Sequence, residues 1–307
     1  MLRYVLKRIL LLIPVLLGVS FIVFSIMSLT PGDPASVILG PMATKEDIQK
    51  LNEELGYYRP FLVRYFSFIT GALRGDFGKS YRSGNPVFGE IFSRFPTTLK
   101  LAIGSILFAI IVGTPIGIIS AVRQYSWFDM TGTIIAMFMA AVPQFWLGLL
   151  LMFLLSVRLQ LLPTSGYGDG SLTHLLLPAL TLGVGYMALL ARTTRAAVME
   201  ILTADYVRTA AAKGLSRLVI NGKHVFRNAL ILVLTTAGLQ FGSLIGQTVI
   251  VEKLFSWPGI GRYLVERIEL RDYTAVQSTI GVFAMFVAGI SLIMDILYAF
   301  IDPRIRY

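Results

Sequence analysis

The number of long apolar stretches constrains the fold of this chain more than any other feature. Six stretches are long and apolar enough to cross a hydrocarbon core about 30 Å thick, which takes roughly 20 helical residues each. They lie near residues 9–29, 98–121, 131–156, 175–191, 229–251 and 276–301. Because lipid gives a backbone no hydrogen-bonding partners, each stretch must satisfy its own peptide groups as a helix. The sequence therefore predicts an all-α, polytopic membrane protein with six transmembrane helices in a lipid bilayer.

Composition excludes several other classes of protein. Hydrophobic residues make up 55% of the 307 residues and charged residues only 14%, which is more apolar than a soluble domain requires. The net charge of +10 would suit a nucleic-acid partner, but the basic residues adjoin apolar stretches and do not interleave with aromatics, so no nucleic acid is expected. With no cysteine and two isolated histidines, no metal or other cofactor is expected in this chain.

The placement of charges predicts the orientation of the helices. If the N-terminus is cytoplasmic, the cytoplasmic segments hold thirteen basic and four acidic residues, whereas the other side holds fourteen basic and twelve acidic ones. An excess of Lys and Arg on the cytoplasmic side is the usual result of membrane insertion, so both termini are expected in the cytoplasm. The first stretch is too long for a signal peptide and is expected to be retained. Kinks are expected at Pro14, Pro115 and Pro143.

The segment 30–96 is expected to fold outside the cytoplasm as a helical segment between the first two transmembrane helices. Its "TKEDIQKLNEELG" begins with a Thr44 to Asp47 capping pattern, and a second helix is expected to start at Pro60. Its "GDFGKS" is not a phosphate-binding loop, because that motif requires a glycine where this chain has Leu73. Without such a motif the chain is not expected to hydrolyse ATP, and no convergent catalytic groups are visible at membrane depth.

A basic stretch, "DYVRTAAAKGLSRLVINGKHVFRNAL", separates the fourth and fifth apolar stretches. Thr203 can cap a helix whose alanines favour helical backbone, and Gly214 can stop it. A slim helix of this kind suits a groove on a partner protein. The alternative is a basic helix that lies on anionic lipid.

The fifth apolar stretch has two distinct faces. Small residues recur at every fourth position on the first face, which predicts close helix packing: Gly238, Gly242 and Gly246. Uncharged polar residues form the second face: Thr236, Gln240, Ser243 and Gln247. Polar groups in hydrocarbon are costly unless they meet water or partners, so this face is expected to line a translocation pathway. Hydrogen bonding between helices is the alternative.

Asp295 is the one carboxylate placed within an apolar stretch. We expect a structural ion pair with Arg192 or Arg195 at the inner end of the fourth stretch. A proton-coupled secondary transporter is the alternative, because such carriers need a titrating carboxylate in the membrane.

Several motifs together resemble one family of transport proteins. "DYVRTAAAKGLS", "KHVFRNAL", "VEKLFSWPGIGR", "DILYAFIDPRIRY" and the external "MSLTPGDPA" and "RFPTTLKL" closely resemble the permease subunits of bacterial ATP-binding-cassette (ABC) importers of the dipeptide, oligopeptide, glutathione and nickel group. The resemblance implies the type I importer permease fold in the bacterial inner membrane. It also implies three kinds of partner: a second homologous permease, two ATPase subunits that bind ATP and Mg, and an extracytoplasmic substrate-binding protein.

The resemblance also assigns a role to the basic stretch. It implies a permease core of residues 97–307 with a cytoplasmic coupling loop, 192–228, whose helix at 205–214 docks on an ATPase. The residues implied in coupling are Arg208, Thr209, Ala210, Ala211, Ala212, Lys213 and Gly214. The family's general pattern has a glutamate at the position of Arg208, so this chain departs from it there. Residues 1–29 form the first helix with its cytoplasmic end, and 30–96 the external segment.

The sequence leaves the substrate open. Short peptides, including glutathione, are expected first, and nickel or a metal chelate is the alternative. The external segment and the loop Ser256–Arg262 are expected to contact the binding protein, although Pro258 and Gly259 also favour a simple tight turn there.

Overall fold

The computed structural model describes residues 2–30, 32–216 and 219–301 of the chain. Over these residues the regular structure is helical, apart from a single antiparallel bridge between Lys79 and Pro86. The helices in chain order are α1 (Leu2–Leu29), α2 (Pro34–Leu39), α3 (Lys45–Glu54), α4 (Phe61–Leu73), α5 (Val87–Val122), α6 (Trp127–Ala141), α7 (Gln144–Leu151), α8 (Leu172–Leu202), α9 (Asp205–Ala212), α10 (Arg227–Leu254), α11 (Ile260–Glu269) and α12 (Tyr273–Ile301). A π-helical segment, Met152–Arg158, continues α7, and a second one, Ile220–Phe226, precedes α10.

The long apolar helices confirm five of the six predicted spans, and a bent pair of helices lies at the position of the sixth. Among the described residues, five helices are long and apolar enough to cross a membrane: α1, α5, α8, α10 and α12. Trp127–Ala141 and Gln144–Arg158 are apolar enough to form a sixth span together, and the pair is bent by 106°. Pro143 lies at this bend, so the kink expected there is a full break between α6 and α7. Pro14 and Pro115 lie within the continuous helices α1 and α5.

One compact unit consists of Met1–Thr98 and Pro258–Gly289. In it, Thr44 caps α3 as predicted, since its hydroxyl oxygen accepts the Asp47 amide at 3.2 Å. Residues from the external segment and from α11 and α12 share one buried apolar cluster: Phe77, Val87, Ile91, Ile260, Tyr263, Ala275 and Val282. The external segment therefore shares one apolar core with α11 and α12.

Buried carboxylates hold this core together. Asp272, whose side chain is fully buried, accepts hydrogen bonds from the Ser80 hydroxyl at 2.5 Å and the Tyr81 amide at 3.2 Å. Glu90 accepts the Tyr263 hydroxyl at 2.6 Å and forms an ion pair with Arg267 at 3.2 Å. Burial and the Glu90 carboxylate raise the pKa of the Tyr263 phenol, so it remains a donor at neutral pH.

The second unit consists of Leu99–Trp257 and Ile290–Tyr307, and α8 is its central helix. α8 packs against α6, α7 and α10. α5 also lies very close to it: a Cβ atom at Gly113 would lie 2.6 Å from the Met187 carbonyl oxygen, and one at Gly117 would lie 2.7 Å from Thr194 Cβ. These glycines are four residues apart, so one face of α5 lets the two backbones touch.

The glycine face of α10 is only partly as predicted. A Cβ at Gly238 would lie 2.6 Å from Met294, and one at Gly242 would lie 2.7 Å from the Ser291 hydroxyl. Both glycines therefore pack against the end of α12 that belongs to the same unit. At Gly246 a Cβ would meet no described atom within 4 Å, so its assignment to helix packing stays a prediction.

The contact between α5 and α8 predicts the effect of adding one methyl group. Gly117→Ala would push its Cβ into the Ala191 carbonyl oxygen and Thr194, and overpacking of this kind costs roughly 1–3 kcal/mol. Gly18→Ala is the matched control, because no atom lies within 4 Å of a Cβ at that helical glycine. We expect reversible unfolding in mixed detergent and SDS micelles to show a loss of stability for Gly117→Ala only. Equal stability of the two variants would contradict the close approach of the helices.

Candidate functional site

A cavity of about 540 Å³ lies within the second unit, between α5, α6, α7, α8 and α10. Part of its wall is apolar, with Met137, Met139 and Leu189 among the lining residues. The rest is polar, and these residues are Ser120, Thr133, Gln144, Thr181, Tyr186, Arg192, Arg195, Gln240, Ser243 and Gln247. A mixed wall of this kind can hold a small polar molecule and orient it by hydrogen bonds.

Three of the four polar residues predicted for the pathway line this cavity: Gln240, Ser243 and Gln247. The Tyr186 and Ser243 hydroxyls lie 3.3 Å apart, and Ser243 also donates to the Gln240 carbonyl at 2.9 Å. Thr236 is the exception, because it is absent from the wall and its hydroxyl donates to the Leu232 carbonyl at 2.9 Å. The assignment of Thr236 to the translocation pathway stays a prediction.

Gln144 is a wall residue that the sequence patterns did not indicate. Its side-chain Nε2 donates to Oε1 of the Gln247 side chain at 2.6 Å and joins α7 to α10. Gln144 occupies the first position of α7, directly after Pro143, so the break in the span brings its side chain to the cavity. The only sequence signal was Pro143, which predicted a bend and not a polar contact.

A second unpredicted feature is an ion pair between α6 and α8. The Arg195 guanidinium donates to the two carboxylate oxygens of Asp129 at 2.6 and 2.7 Å. The Ser120 hydroxyl and the Tyr125 amide also donate to this carboxylate, whose side chain is 4% exposed. The charge distribution of the sequence identified Asp129 only as an acidic residue of the cytoplasmic side and gave it no partner. The hydroxyl oxygen of Ser126 accepts a hydrogen bond from the Asp129 amide at the start of α6. This helix-capping pattern was the only feature of the sequence that pointed to Asp129.

The ion pair expected for Asp295 involves two candidate arginines of α8, Arg192 and Arg195. Arg195, one of its two candidate partners, is bound to Asp129. Arg192, the other candidate, lines the cavity and forms no ion pair within the described ranges of the chain. Asp295 itself is partly exposed on α12. The expected pairing of Asp295 with Arg192 or Arg195 stays a prediction.

The basic stretch contains α9, which covers Asp205–Ala212. Gly214 follows with φ 79°, and the Leu215 amide donates to the Ala210 carbonyl at 3.4 Å, so this glycine ends the helix in the left-handed conformation. Thr203 does not cap α9 as expected, since its hydroxyl donates back to the Glu200 carbonyl of α8.

One face of α9 is buried and the other is exposed. Val207 and Ala210 pack into an apolar cluster with Val198 and Val225, so Ala210 does not present its side chain to a partner. The remaining predicted coupling residues with described side chains are exposed, and they are Arg208, Thr209, Ala212, Lys213 and Gly214. Tyr206, which is 46% exposed, adds an aromatic ring that no sequence pattern singled out. The side chain of Ala211 lies outside the described part of the structure.

The loop Ser256–Arg262 is mostly buried. Trp257 is fully buried, and its ring packs edge-on against Tyr167 at 4.9 Å. Gly259, Ile260 and Gly261 are also buried. The loop therefore offers only Ser256, Pro258 and Arg262 to a partner protein, each of them partly exposed.

Two family signatures cover most of the chain. Residues 113–307 match the family described as binding-protein-dependent transport system inner membrane component. Residues 1–102 match the N-terminal region described for the same kind of membrane component. The matched ranges include the cavity, α9 and the external segment.

Two curated proteins are similar over the full length of both sequences. The glutathione transport system permease protein GsiC of Escherichia coli (strain K12) is 46% identical over 307 residues, with 100% of each chain covered. The dipeptide transport system permease protein DppB of Alkalihalophilus pseudofirmus is 41% identical over 333 residues, again with 100% of each covered.

A solved structure agrees with the fold. The MetNI methionine ABC transporter, in an inward-facing conformation, superposes on this chain with a TM-score of 0.59. The match covers 69% of this chain and 96% of the other at 17% sequence identity. Because the sequence identity is low, this structural similarity establishes the fold alone, which is that of an ABC importer permease.

The ion pair beside the cavity predicts a large loss of stability when one partner is neutralised. Asp129→Asn leaves Arg195 without its bidentate carboxylate, and breaking a buried pair costs roughly 3–5 kcal/mol. Asp205→Asn is the matched control, because that side chain is fully exposed and lies 3.9 Å from Arg208. Unfolding of the purified chain in mixed micelles is expected to separate the two variants clearly. A small effect of Asp129→Asn, equal to that of the control, would contradict a structural role for the pair.

Proposed function

Since the chain belongs to the family of binding-protein-dependent transport system inner membrane components, we propose that its cargo is short peptides, including glutathione. The full-length likeness to glutathione and dipeptide permeases supports this substrate class. So does the cavity, whose amide and hydroxyl groups match the donors and acceptors of a peptide backbone. Nickel or a metal chelate is the less favoured alternative, because this wall offers no acidic side chain to a cation among its described residues.

The proposed assembly contains five subunits. This permease pairs with a second, related permease, and two ATPase subunits hydrolyse ATP with Mg on the cytoplasmic side. A binding protein delivers the peptide from the other side. Both termini and the coupling loop 192–228 are proposed to be cytoplasmic, and the segment 30–96 extracytoplasmic, because this orientation puts the excess of basic residues inside.

The translocation pathway is proposed to be lined by Gln240, Ser243 and Gln247 of α10 together with Gln144 and Tyr186. Amides and hydroxyls can bond a peptide without ionic attraction, so the peptide can also leave. The observation that carries this assignment is the position of Gln240, Ser243 and Gln247 on one wall of the cavity. Gly238 and Gly242 lie on the opposite face of α10 and pack against α12. This contact fixes the helix while its polar face lines the pathway.

The exposed face of α9 is proposed to dock on an ATPase. Arg208, with 72% of its side chain exposed, and Lys213 project from a helix that is slim at Ala212. Val207 and Ala210 fix the other face to the permease core. A helix attached in this way can transmit movement, because its buried face moves with α8 and its exposed face with the partner.

Docking predicts that bulk on the exposed face of α9 separates the subunits. Ala212→Trp is expected to leave the permease inserted but to lose most of the ATPase from the purified complex, since the added ring does not fit a groove shaped for alanine. Gly214→Val is expected to act in the same direction, because φ 79° disfavours a β-branched residue. Met42→Trp is the control, at a side chain that is 95% exposed in the external segment. Full retention of the ATPases by Ala212→Trp would favour a helix lying on lipid.

The pathway assignment predicts a loss of transport without a loss of assembly. The double variant Gln240→Leu and Gln247→Leu removes two amides from the cavity wall, and uptake of dialanine by reconstituted complex is expected to fall about thirtyfold, at roughly 1 kcal/mol for each of two lost hydrogen bonds.

Thr236→Val serves as the control for this pair, because that hydroxyl bonds to its own helix and does not line the cavity. Uptake should stay near the parent level in this variant. Normal uptake by the double variant at normal membrane levels would refute the pathway assignment.

A further inference from the structure

We propose that the cavity recognises a free carboxylate of its substrate, and that the guanidinium of Arg192 binds it. The inference rests on the proposed function, because it concerns the substrate of the same cavity. It narrows the class of cargo from peptides in general to peptides with an unblocked carboxyl group.

The charge of the cavity wall carries the argument. Among the described residues that line the cavity, Arg192 and Arg195 are the only charged ones, and none is acidic. The Arg195 charge is satisfied by the bidentate contact with Asp129, at 2.6 and 2.7 Å. Arg192 is exposed and has no ion pair within the described ranges. The wall therefore holds one uncompensated positive charge.

The chemistry of this charge favours a carboxylate. A guanidinium is always protonated, and its planar fork of N–H donors matches the two oxygens of a carboxylate. A hydrogen bond to a charged group is roughly twice as strong as one between neutral groups, so the cavity holds an anion at this position more firmly than a neutral group. A substrate without an anionic group would leave the Arg192 charge unpaired.

The neutral part of the wall favours a peptide over a lipid as the source of the anion. Gln240, Ser243 and Tyr186 offer amide and hydroxyl groups that suit the peptide bonds of a small molecule. A lipid phosphate at Arg192 would place an acyl chain in the cavity and leave these groups unused. The cavity volume of about 540 Å³ also lies within the range of roughly 300–1,000 Å³ typical of small-molecule sites.

The test compares peptides that differ only in the carboxyl group. The purified complex of both permeases and the ATPases, free of nucleotide and of binding protein, is titrated with dialanine, trialanine and the C-terminal amide of each. Arg192→Gln removes the charge and Arg192→Lys keeps it. Arg123→Gln is the matched control, because that arginine is exposed after the end of α5 and does not line the cavity.

The parent is expected to bind each free acid at least about tenfold more tightly than its amide, since an ionic hydrogen bond is lost with the carboxylate. Arg192→Gln should abolish this preference, Arg192→Lys should keep part of it, and Arg123→Gln should keep all of it. A parent complex that binds acid and amide equally, or binds neither, would overturn the proposal. So would a preference that survives in Arg192→Gln.

One further measurement distinguishes a lipid ligand from a peptide, and a second tests the proposed function separately. Native mass spectrometry of the complexes reports bound phospholipid: loss of phospholipid from Arg192→Gln with an unchanged peptide preference would assign the arginine to lipid and overturn the proposal. Uptake by the parent complex with its binding protein tests the proposed function alone. Absent uptake would defeat that function, whereas normal uptake with no preference for the acid would defeat only the role of Arg192.

Discussion

The close contact of α5 with α8 is the constraint on which the second unit depends. Helices in hydrocarbon gain little from burying apolar surface against each other, so their contacts rely on close packing and on hydrogen bonds. Gly113 and Gly117 give the packing, because their missing side chains let the α5 backbone reach the carbonyl oxygens of α8. α8 in turn positions Tyr186, Arg192 and Arg195 at the cavity. A shift of this one helix would change the polar wall and the ion pair together.

Among its described wall residues, the cavity combines several weak hydrogen-bonding groups with one free charge, the guanidinium of Arg192, and this balance suits transport. Asp129 neutralises Arg195 and ties α6 to α8, so that this arginine contributes to structure. The amides and the hydroxyls of α7, α8 and α10 bond to one another at 2.6 to 3.3 Å, as in Gln144 with Gln247 and Tyr186 with Ser243. Each of these bonds is worth about 1 kcal/mol, so an entering peptide can replace them and be released again. The charge of Arg192 then provides selectivity for the cargo.

The sequence was sufficient for features that depend on local pattern, and it failed where side chains meet across the fold. The long apolar helices, the Thr44 cap and the left-handed Gly214 each follow from a local preference, and the structure has all three. The pairing of Asp129 with Arg195, 66 residues apart, depends on the crossing of two helices that no local pattern specifies. The same limit applies to Gly246 and Thr236. Helical periodicity placed both on the correct faces, but neighbouring helices cover only part of each face.

Cysteine labelling tests most directly whether the polar face of α10 lines a water-filled pathway. The chain has no cysteine, so each introduced thiol is the only one in this subunit. Gln240→Cys, Ser243→Cys and Gln247→Cys are compared with Leu239→Cys, which replaces a side chain that is 59% exposed but lies outside the cavity wall. A charged, membrane-impermeant thiol reagent is expected to modify the three cavity positions, and substrate to slow that reaction, while position 239 stays unlabelled. Equal labelling at all four positions, or labelling at 239 alone, would contradict the account.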